Sequence, residues 1–510
     1  MGLDSALATA GTGIDAIQTQ LALISQNVAN AGTPTYATEV AAQEAVTAGG
    51  TGMGVRLLPA TRLVDTALQA TVLGQNAAAA GAQTTATALS AINGVQGTPA
   101  AGNDLPSLLA GVTSAFTALA ANPSGAAGQQ AVVTAAQTLA NGINTISQSY
   151  QQQRQTAQDG IVSAVAAINT DLGTIGTLSD QIINLKSLGQ STADLQNQRD
   201  AAVASLSSLV SVRTLAQPNG DMLVIAGGGL MLPTHATNPL ATTGAQLGAA
   251  ATYPGSIPAI TLGGTDVTAA LGGGTLGANI TLRDKTLPTY QAELDQFSAQ
   301  LSNRFAAQGL SLFSRADGSL PASTGPYTQS GYVGYAGQIT VNPAVAASPS
   351  LVRDGNLAIA GSPTGASAFT PNPPGGPASF GTLISRVLDY ALGSNAQAGV
   401  AQPATPTTGL GPSGTLAAPY AAPADLTGLA STMIAAQSAD SATASAQATS
   451  EASVQTTLSS RLASQDGVNM DQELAAMTQL QNAYGANARV IAAVQSMFTT
   501  LLTAITPVIG

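Results

Sequence analysis

At 510 residues the chain exceeds what one ordinary core supports, and about two to four domains are expected. Only 8% of its residues are charged and 3% aromatic, with no Trp, so its helices must pack through small side chains. A net charge of −11, with Lys186 and Lys285 as the only lysines, argues against nucleic acid, whose phosphates need a basic footprint, and the lack of Cys removes disulfides and thiolate metal sites.

The first element is helical. Leu3, Ala10, Ile17 and Ile24 recur every seven positions, and so do Leu7, Ile14, Leu21 and Val28. This a/d heptad predicts a helix held against another in a coiled-coil-like seam. It runs into Asn27, Asn30, Gly32 and Pro34, which favour turns. No basic residue precedes Arg56, and Asp4, Thr9, Gly11 and Asp15 interrupt the early apolar residues, unlike a Sec-type signal. No run of about 18 apolar residues suggests a membrane span.

Residues 61–210 carry helical periodicity at 105–119, 129–158, 161–188 and 195–210, with breaks expected at 94–97, 122–123, 159–160 and Gly189. From 211 to 282 the pattern shortens to strands. Pro218-Asn219-Gly220-Asp221 is a turn between VRTLAQ and MLVIAG, and the glycine triplets at 227–229 and 272–274 are further turns. Helix resumes in RDKTLPTYQAELDQFSAQLSNRF, with Leu287, Tyr290, Leu294, Phe297, Leu301 and Phe305 on one face and Pro288 in the first turn. Residues 313–425 are rich in Gly, Pro and Ser, with short strand candidates such as QITVN. An Ala-, Ser- and Thr-rich helix follows over 426–464. Gly467 breaks it, Asn469 with Gln472 forms a capping box, and a last helix over 471–505 carries Met470, Met477, Tyr484, Ile491 and Phe498 at heptad spacing.

The expected fold is α+β: an elongated multi-domain rod with paired N- and C-terminal heptad helices, a helical bundle domain, and a β-rich outer domain inserted in the middle of the chain. Terminal core segments are expected at 1–60 and 465–510, a helical bundle at 61–210 with 283–312 and 426–464, and β-rich outer domains at 211–282 and 313–425.

Catalytic chemistry lacks its residues. The one histidine, His235, reads as a loop residue, Lys186 lies outside any phosphate-binding loop, and no nucleophile elbow occurs. Asp284, Glu293 and Asp295 form a carboxylate group, but with Arg283 and Lys285 beside them a solvated helix face is the simpler expectation. No metal, cofactor or catalytic residue is expected.

The start SALATAGTGIDAIQTQLALISQNVANAGTPTY resembles the N-terminal signature of bacterial flagellar axial proteins, through Ser25, Asn27, Val28, Ala29, Asn30 and Tyr36. Within that rod and hook superfamily, Arg283-Asp284 with Leu287-Pro288 resembles the hook-associated protein 1 family, the first hook–filament junction proteins. LPSLLAGVTSAFTALAANPSGAAGQQAVVTAAQTLAN is similar to the family's helical domain. The C-terminal signature matches at Gly467, Val468, Asn469, Asp471, Glu473, Ala483, Tyr484, Ala486, Ala488, Arg489 and Val490. The resemblance covers most of the chain outside about 313–425.

It implies a structural, non-enzymatic subunit of the bacterial flagellum, secreted through type III export. The implied partners are identical subunits in the axial tube, the hook protein, the second hook–filament junction protein and an export chaperone on the C-terminal helix, with no nucleic acid and no membrane. The assembly interface then comprises Leu3, Leu7, Ile14, Ile17, Leu21, Ile24, Asn27, Val28, Asn30, Tyr36, Met470, Met477, Tyr484, Asn487, Arg489, Ile491 and Phe498. Alternatives are another axial protein (second junction protein, hook protein or flagellin) and a secreted enzyme with its site in 313–425. Thr35 and Thr38 stand where the family usually has Gly and Arg. Since Thr takes a positive φ less readily than Gly, a different turn before Tyr36 is expected.

Overall fold

The computed structural model describes residues 2–48 and 51–505; of the expected terminal segments, Met1, 49–50 and 506–510 lie outside these. Helix α1 (Leu3–Asn30) carries Asp4 in its first turn, where the helix dipole favours an anion. Four strands follow: β1 (Glu39–Val40), β2 (Gln43–Ala48), β3 (Thr51–Leu57) and β4 (Thr61–Arg62). β2 and β3 form an antiparallel hairpin that lies along α1, and β1 pairs with β4.

The Asp65 carboxylate caps α2 (Thr66–Gln96) by accepting from the Ala67 and Leu68 amides, and Gly97, at φ 78°, ends it. α3 (Leu105–Ala121) has Pro in its first turn. α4 (Ala126–Ser187) has 62 residues, which at 1.5 Å each gives about 90 Å and sets the long axis of the molecule. α5 (Ala193–Leu209) folds back against it.

The break expected at 159–160 is absent, because α4 runs through Asp159 and Gly160 without interruption. A Cβ at residue 160 would stand 2.6 Å from the Asn279 side chain, so this glycine admits a close neighbour instead of ending a helix. Position 160 is nonetheless a boundary. Before it, Val132, Leu139, Ile143 and Tyr150 enter one apolar core; after it, Ile161, Ile168, Leu172 and Ile175 enter a second. A stretch of α4 is also apolar and long enough to cross a bilayer, contrary to the expectation that no such run exists; 44% of that window is buried inside the molecule.

The second core is closed by α5 and two small antiparallel sheets. One has the order β5 (Val212–Ala216), β6 (Met222–Ala226), β7 (Met231–Leu232); the other joins β8 (Leu240–Ala241), β9 (Thr261–Leu262) and β10 (Thr265–Asp266) with β9 central. α6 (Gly274–Thr281), a π-helical turn at Leu282–Thr286 and α7 (Leu287–Ala307) then follow end to end. α7 is enclosed on nearly every side. Glu293 and Asp295, expected on a solvated face, are 4% and 0% exposed, because α11 and α4 cover Glu293 and the loops after α7 wrap Asp295. Asp295 accepts from Tyr327 Oη, the Gly334 and Ala336 amides and Gln291 Nε2 at 2.7–2.9 Å. Burial still pushes its carboxyl up to about 6.

The strands of residues 313–425 are short: β11 (Phe313–Ser314) pairs with β12 (Thr340–Val341), β13 (Asn395–Gln397) with β14 (Val400–Ala401), and β15 (Thr408–Leu410) with β16 (Leu416–Ala417). The short helices α8 (Pro343–Ala347), α9 (Leu351–Asp354) and α10 (Thr382–Arg386) punctuate them. Pro removes ladder donors and Gly removes side chains, so long strands do not form. Tyr327, Tyr335, Val345, Phe369 and Leu383 instead join the first core, beside Phe116 and Phe305.

α11 (Leu426–Asp466) returns along α2, and α12 (Met470–Ile505) returns along α1. The Asn469 side chain caps α12 by accepting from the Asp471 and Gln472 amides. Outgoing and returning legs thus lie side by side.

Candidate functional site

The seam between α1 and α12 is built from small and branched side chains. Ala10, Ala16, Ile17 and Ile24 are buried on α1, and Val494 on α12. Gly13 faces Asn487 so closely that an added Cβ would stand 3.3 Å from its amide nitrogen. The β2–β3 hairpin braces the outside: the Val55 amide donates to Thr12 Oγ1, and Gln43 Nε2 donates to Gln20 Oε1 at 2.8 Å.

At the lower end of the seam the chemistry becomes polar. Asn27, 1% exposed, uses all four of its hydrogen-bonding positions. Its Nδ2 donates to the Glu39 carbonyl and to Glu473 Oε1, both at 3.0 Å, and its Oδ1 accepts from Tyr36 Oη and the Glu39 amide, both at 3.1 Å. One asparagine therefore ties α1, the chain leaving α1 and the first turn of α12. Leucine there would leave a buried amide, a phenol and a carboxylate without partners.

A second asparagine continues the lock into the helical domain. Asn197 of α5 exchanges two hydrogen bonds with the backbone of Ala37 and donates to Glu39 Oε1 at 3.0 Å. Arg62 donates to Asn197 Oδ1 and pairs with Asp200 at 2.6 Å, both partners largely buried. On the other side the Thr38 amide donates to the Asp466 carbonyl at 2.8 Å, and the Asp466 carboxylate accepts from the Asp65 amide. Burial, then the nearby Asp194, raises the Glu39 carboxyl above the ordinary carboxylate range, against the pull of Asn197 and Arg62. Burial likewise raises Asp466. The Tyr36 phenol is pushed up by burial and by Glu39, so it stays a donor.

Thr35 holds the turn that delivers Tyr36. Its φ is +67°, and among the described residues only Asn238 is another non-glycine with positive φ. Thr35 itself takes the left-handed conformation that glycine adopts more readily, and the strain is accepted. A cavity of about 490 Å³ opens beside this turn, between Tyr36, Val72, Leu73, Ala204, Leu462 and Val468.

Residues 89–318 match the family model described as "Flagellar hook-associated protein FlgK helical domain", and residues 463–504 match "Flagellar basal body rod FlgEFG protein C-terminal", together just over half of the chain. The chain resembles flagellar hook-associated protein 1. It is 27% identical over 319 residues to flagellar hook-associated protein 1 of Salmonella typhimurium, covering 60% of this chain and 56% of that protein. It is 27% identical over 241 residues to the Bacillus subtilis protein of that name, covering 45% and 46%. The chain thus spans about half the length of the curated relatives it matches. Among solved structures, the flagellar hook junction protein FlgK from Burkholderia pseudomallei aligns with a TM-score of 0.40 and 26% identity, covering 50% of this chain and 47% of that one.

Against the hook-associated family's expected interface, the structure sorts the residues into three groups. Ile17, Ile24, Asn27 and Tyr36 are buried within the single chain. Leu3, Leu7, Ile14, Leu21, Val28, Asn30, Met477, Asn487, Ile491 and Phe498 are half-buried, while Met470, Tyr484 and Arg489 are exposed. The C-terminal stripe therefore does not point wholly into the seam.

Sequence reading missed Glu39, Arg62, Asp65, Asn197, Asp200 and Asp466 as parts of this joint, and took Glu473 only as a signature match. In a chain with so few charges the five charged ones were marked residues, yet their partners lie far away in sequence, and nothing local marks Asn197. His235 sits between Asp221 at 3.3 Å and Asp180 at 3.6 Å, a polar contact between loop, turn and α4. Among the described residues no group of three His, Cys, Asp or Glu side chains is placed to hold a metal ion.

Proposed function

We propose that this chain is a structural subunit of the bacterial flagellum, joining the hook to the filament and assembling through its terminal helices after type III export. One observation carries the reading. Met470, Leu474, Tyr484, Val490, Met497 and Leu501 of α12 are 40–51% exposed although α12 is already paired with α1. Apolar surface left this open on a helix is what neighbouring copies cover in a tube built by heterologous contacts. Similarity to flagellar hook-associated protein 1 supports the junction over other axial positions.

The partners on this reading are identical subunits, the hook protein on one side, the second junction protein on the other, and an export chaperone on α12 before assembly. No cofactor, nucleic acid or membrane enters the scheme, the chain's work is mechanical, and its location is the extracellular appendage. The interface includes Leu3, Leu7, Met477, Tyr484, Arg489, Ile491 and Phe498, and the Asn27 lock sets the angle at which the helical domain leaves the seam.

Replacing Leu474 and Leu501 by Asp tests this, because both side chains are at least half exposed and the intrachain seam is left intact. Cells carrying the double variant should export the protein and build hooks but release filament protein into the medium. Attached filaments at the wild-type number would overturn the proposal.

A further inference from the structure

The first core encloses an acid that neither the joint nor the loops after α7 satisfy. Glu293 of α7 meets α11, α4 and the end of α2 at one point. Gln437 Nε2 donates to Glu293 Oε2 at 2.6 Å, Tyr150 Oη donates to Gln437 Oε1 at 2.6 Å, and Gln96 Nε2 donates both to Tyr150 Oη, at 3.1 Å, and to Gln437 Oε1. Glu293, Gln437, Gln96 and Tyr150 are all at most 4% exposed, and Glu293 Oε1 has no hydrogen-bond partner.

We propose that Glu293 is a proton-linked latch: the helical domain takes up a proton on this side chain as its outgoing and returning legs close, so acid holds the legs together and base loosens them.

The groups that face it supply the reason. Asp440 comes from α11, Tyr150 from α4, Tyr290 from α7 itself, and Tyr420 from the loop before α11. None is basic, and Asp440 adds a like charge, accepting from Tyr290 Oη at 2.8 Å. An ionised carboxylate here would have one amide donor, one bare oxygen and no counter-charge, whereas the protonated acid carries no charge to desolvate. Burial accordingly pushes the Glu293 carboxyl from 4.5 up to about 8, with Asp440 adding to the rise and Gln437 opposing it. In that window the folded chain holds a proton that the unfolded chain has shed. Stability therefore falls as pH rises from about 4.5 to 8 and is flat in this term above that.

The test is denaturant unfolding of the full chain and of Glu293→Gln at pH 6 and pH 8; Asp295, whose carboxyl is pushed up to about 6, contributes alike to both proteins. The wild type should lose on the order of a hundredfold in its folding constant between these values, and Glu293→Gln, which keeps the shape without the proton, should lose far less. Parallel losses in the two proteins would overturn the proposal. Should Glu293→Gln fail to fold, infrared spectra of Glu39→Gln labelled with carbon-13 glutamate decide it. A carboxylic-acid carbonyl band that moves with the label at pH 7 is expected, and its absence would overturn the latch.

Discussion

Thr35 shows how far a single residue can be pressed by the joint around it. A β-branched side chain at φ +67° is strained, yet this turn brings Tyr36 back beneath α1 to donate to Asn27. Thr35→Gly should keep every contact of the lock and raise unfolding stability by about 1 kcal/mol, as strain relief of that order exceeds the entropy glycine adds to the unfolded chain. Thermal or urea unfolding of the purified chain measures it, and a loss of stability would show that the Thr35 side chain is needed where it stands. The position was legible in the sequence only as a departure from a family pattern. How it resolves depends on Asn27, Glu39 and Asn197, which no local rule connects.

At the scale of elements, α4 carries two glycines a turn apart with opposite roles. Gly173 has open space around it, whereas a Cβ at Gly176 would stand 2.1 Å from the Thr234 carbonyl, because the loop bearing His235 lies directly on the helix. Gly173→Ala should stabilise by roughly 0.5–1 kcal/mol through helix propensity. Gly176→Ala should destabilise by roughly 1–3 kcal/mol by lifting that loop off the helix. Unfolding midpoints of the two variants, measured side by side, should shift in opposite directions; equal shifts would mean that loop and helix are not packed as described.

Elements were the most legible level. The capping box at Asn469, Pro at the start of α3 and α7, and the turn at 218–221 mark their elements locally. Gly160 misled because a glycine in a helix reads as a stop whether it ends the helix or admits a neighbour, and only the position of Asn279 separates the two. The acids of α7 misled for a related reason: Arg283 and Lys285 nearby suggest a wet face, but 313–425 wraps Asp295 and α11 covers Glu293.

At the scale of the whole molecule, the chain is a long rod whose outgoing and returning legs pair twice, α2 with α11 and α1 with α12, joined where Asn27, Asn197, Arg62 and Asp466 meet. The ends do pair, α1 lying along α12, but Met470 and Tyr484 of the heptad stripe expected to make that pairing stay exposed. The lock beneath them was not readable from the sequence, since it links residues more than 150 and more than 400 positions apart. Its low charge and small side chains suit a subunit that packs against copies of itself. The most direct measurement is immunogold labelling of the chain on intact flagella under the electron microscope. The expected result is label confined to the boundary between hook and filament; label along the filament or over the whole hook would contradict the junction role.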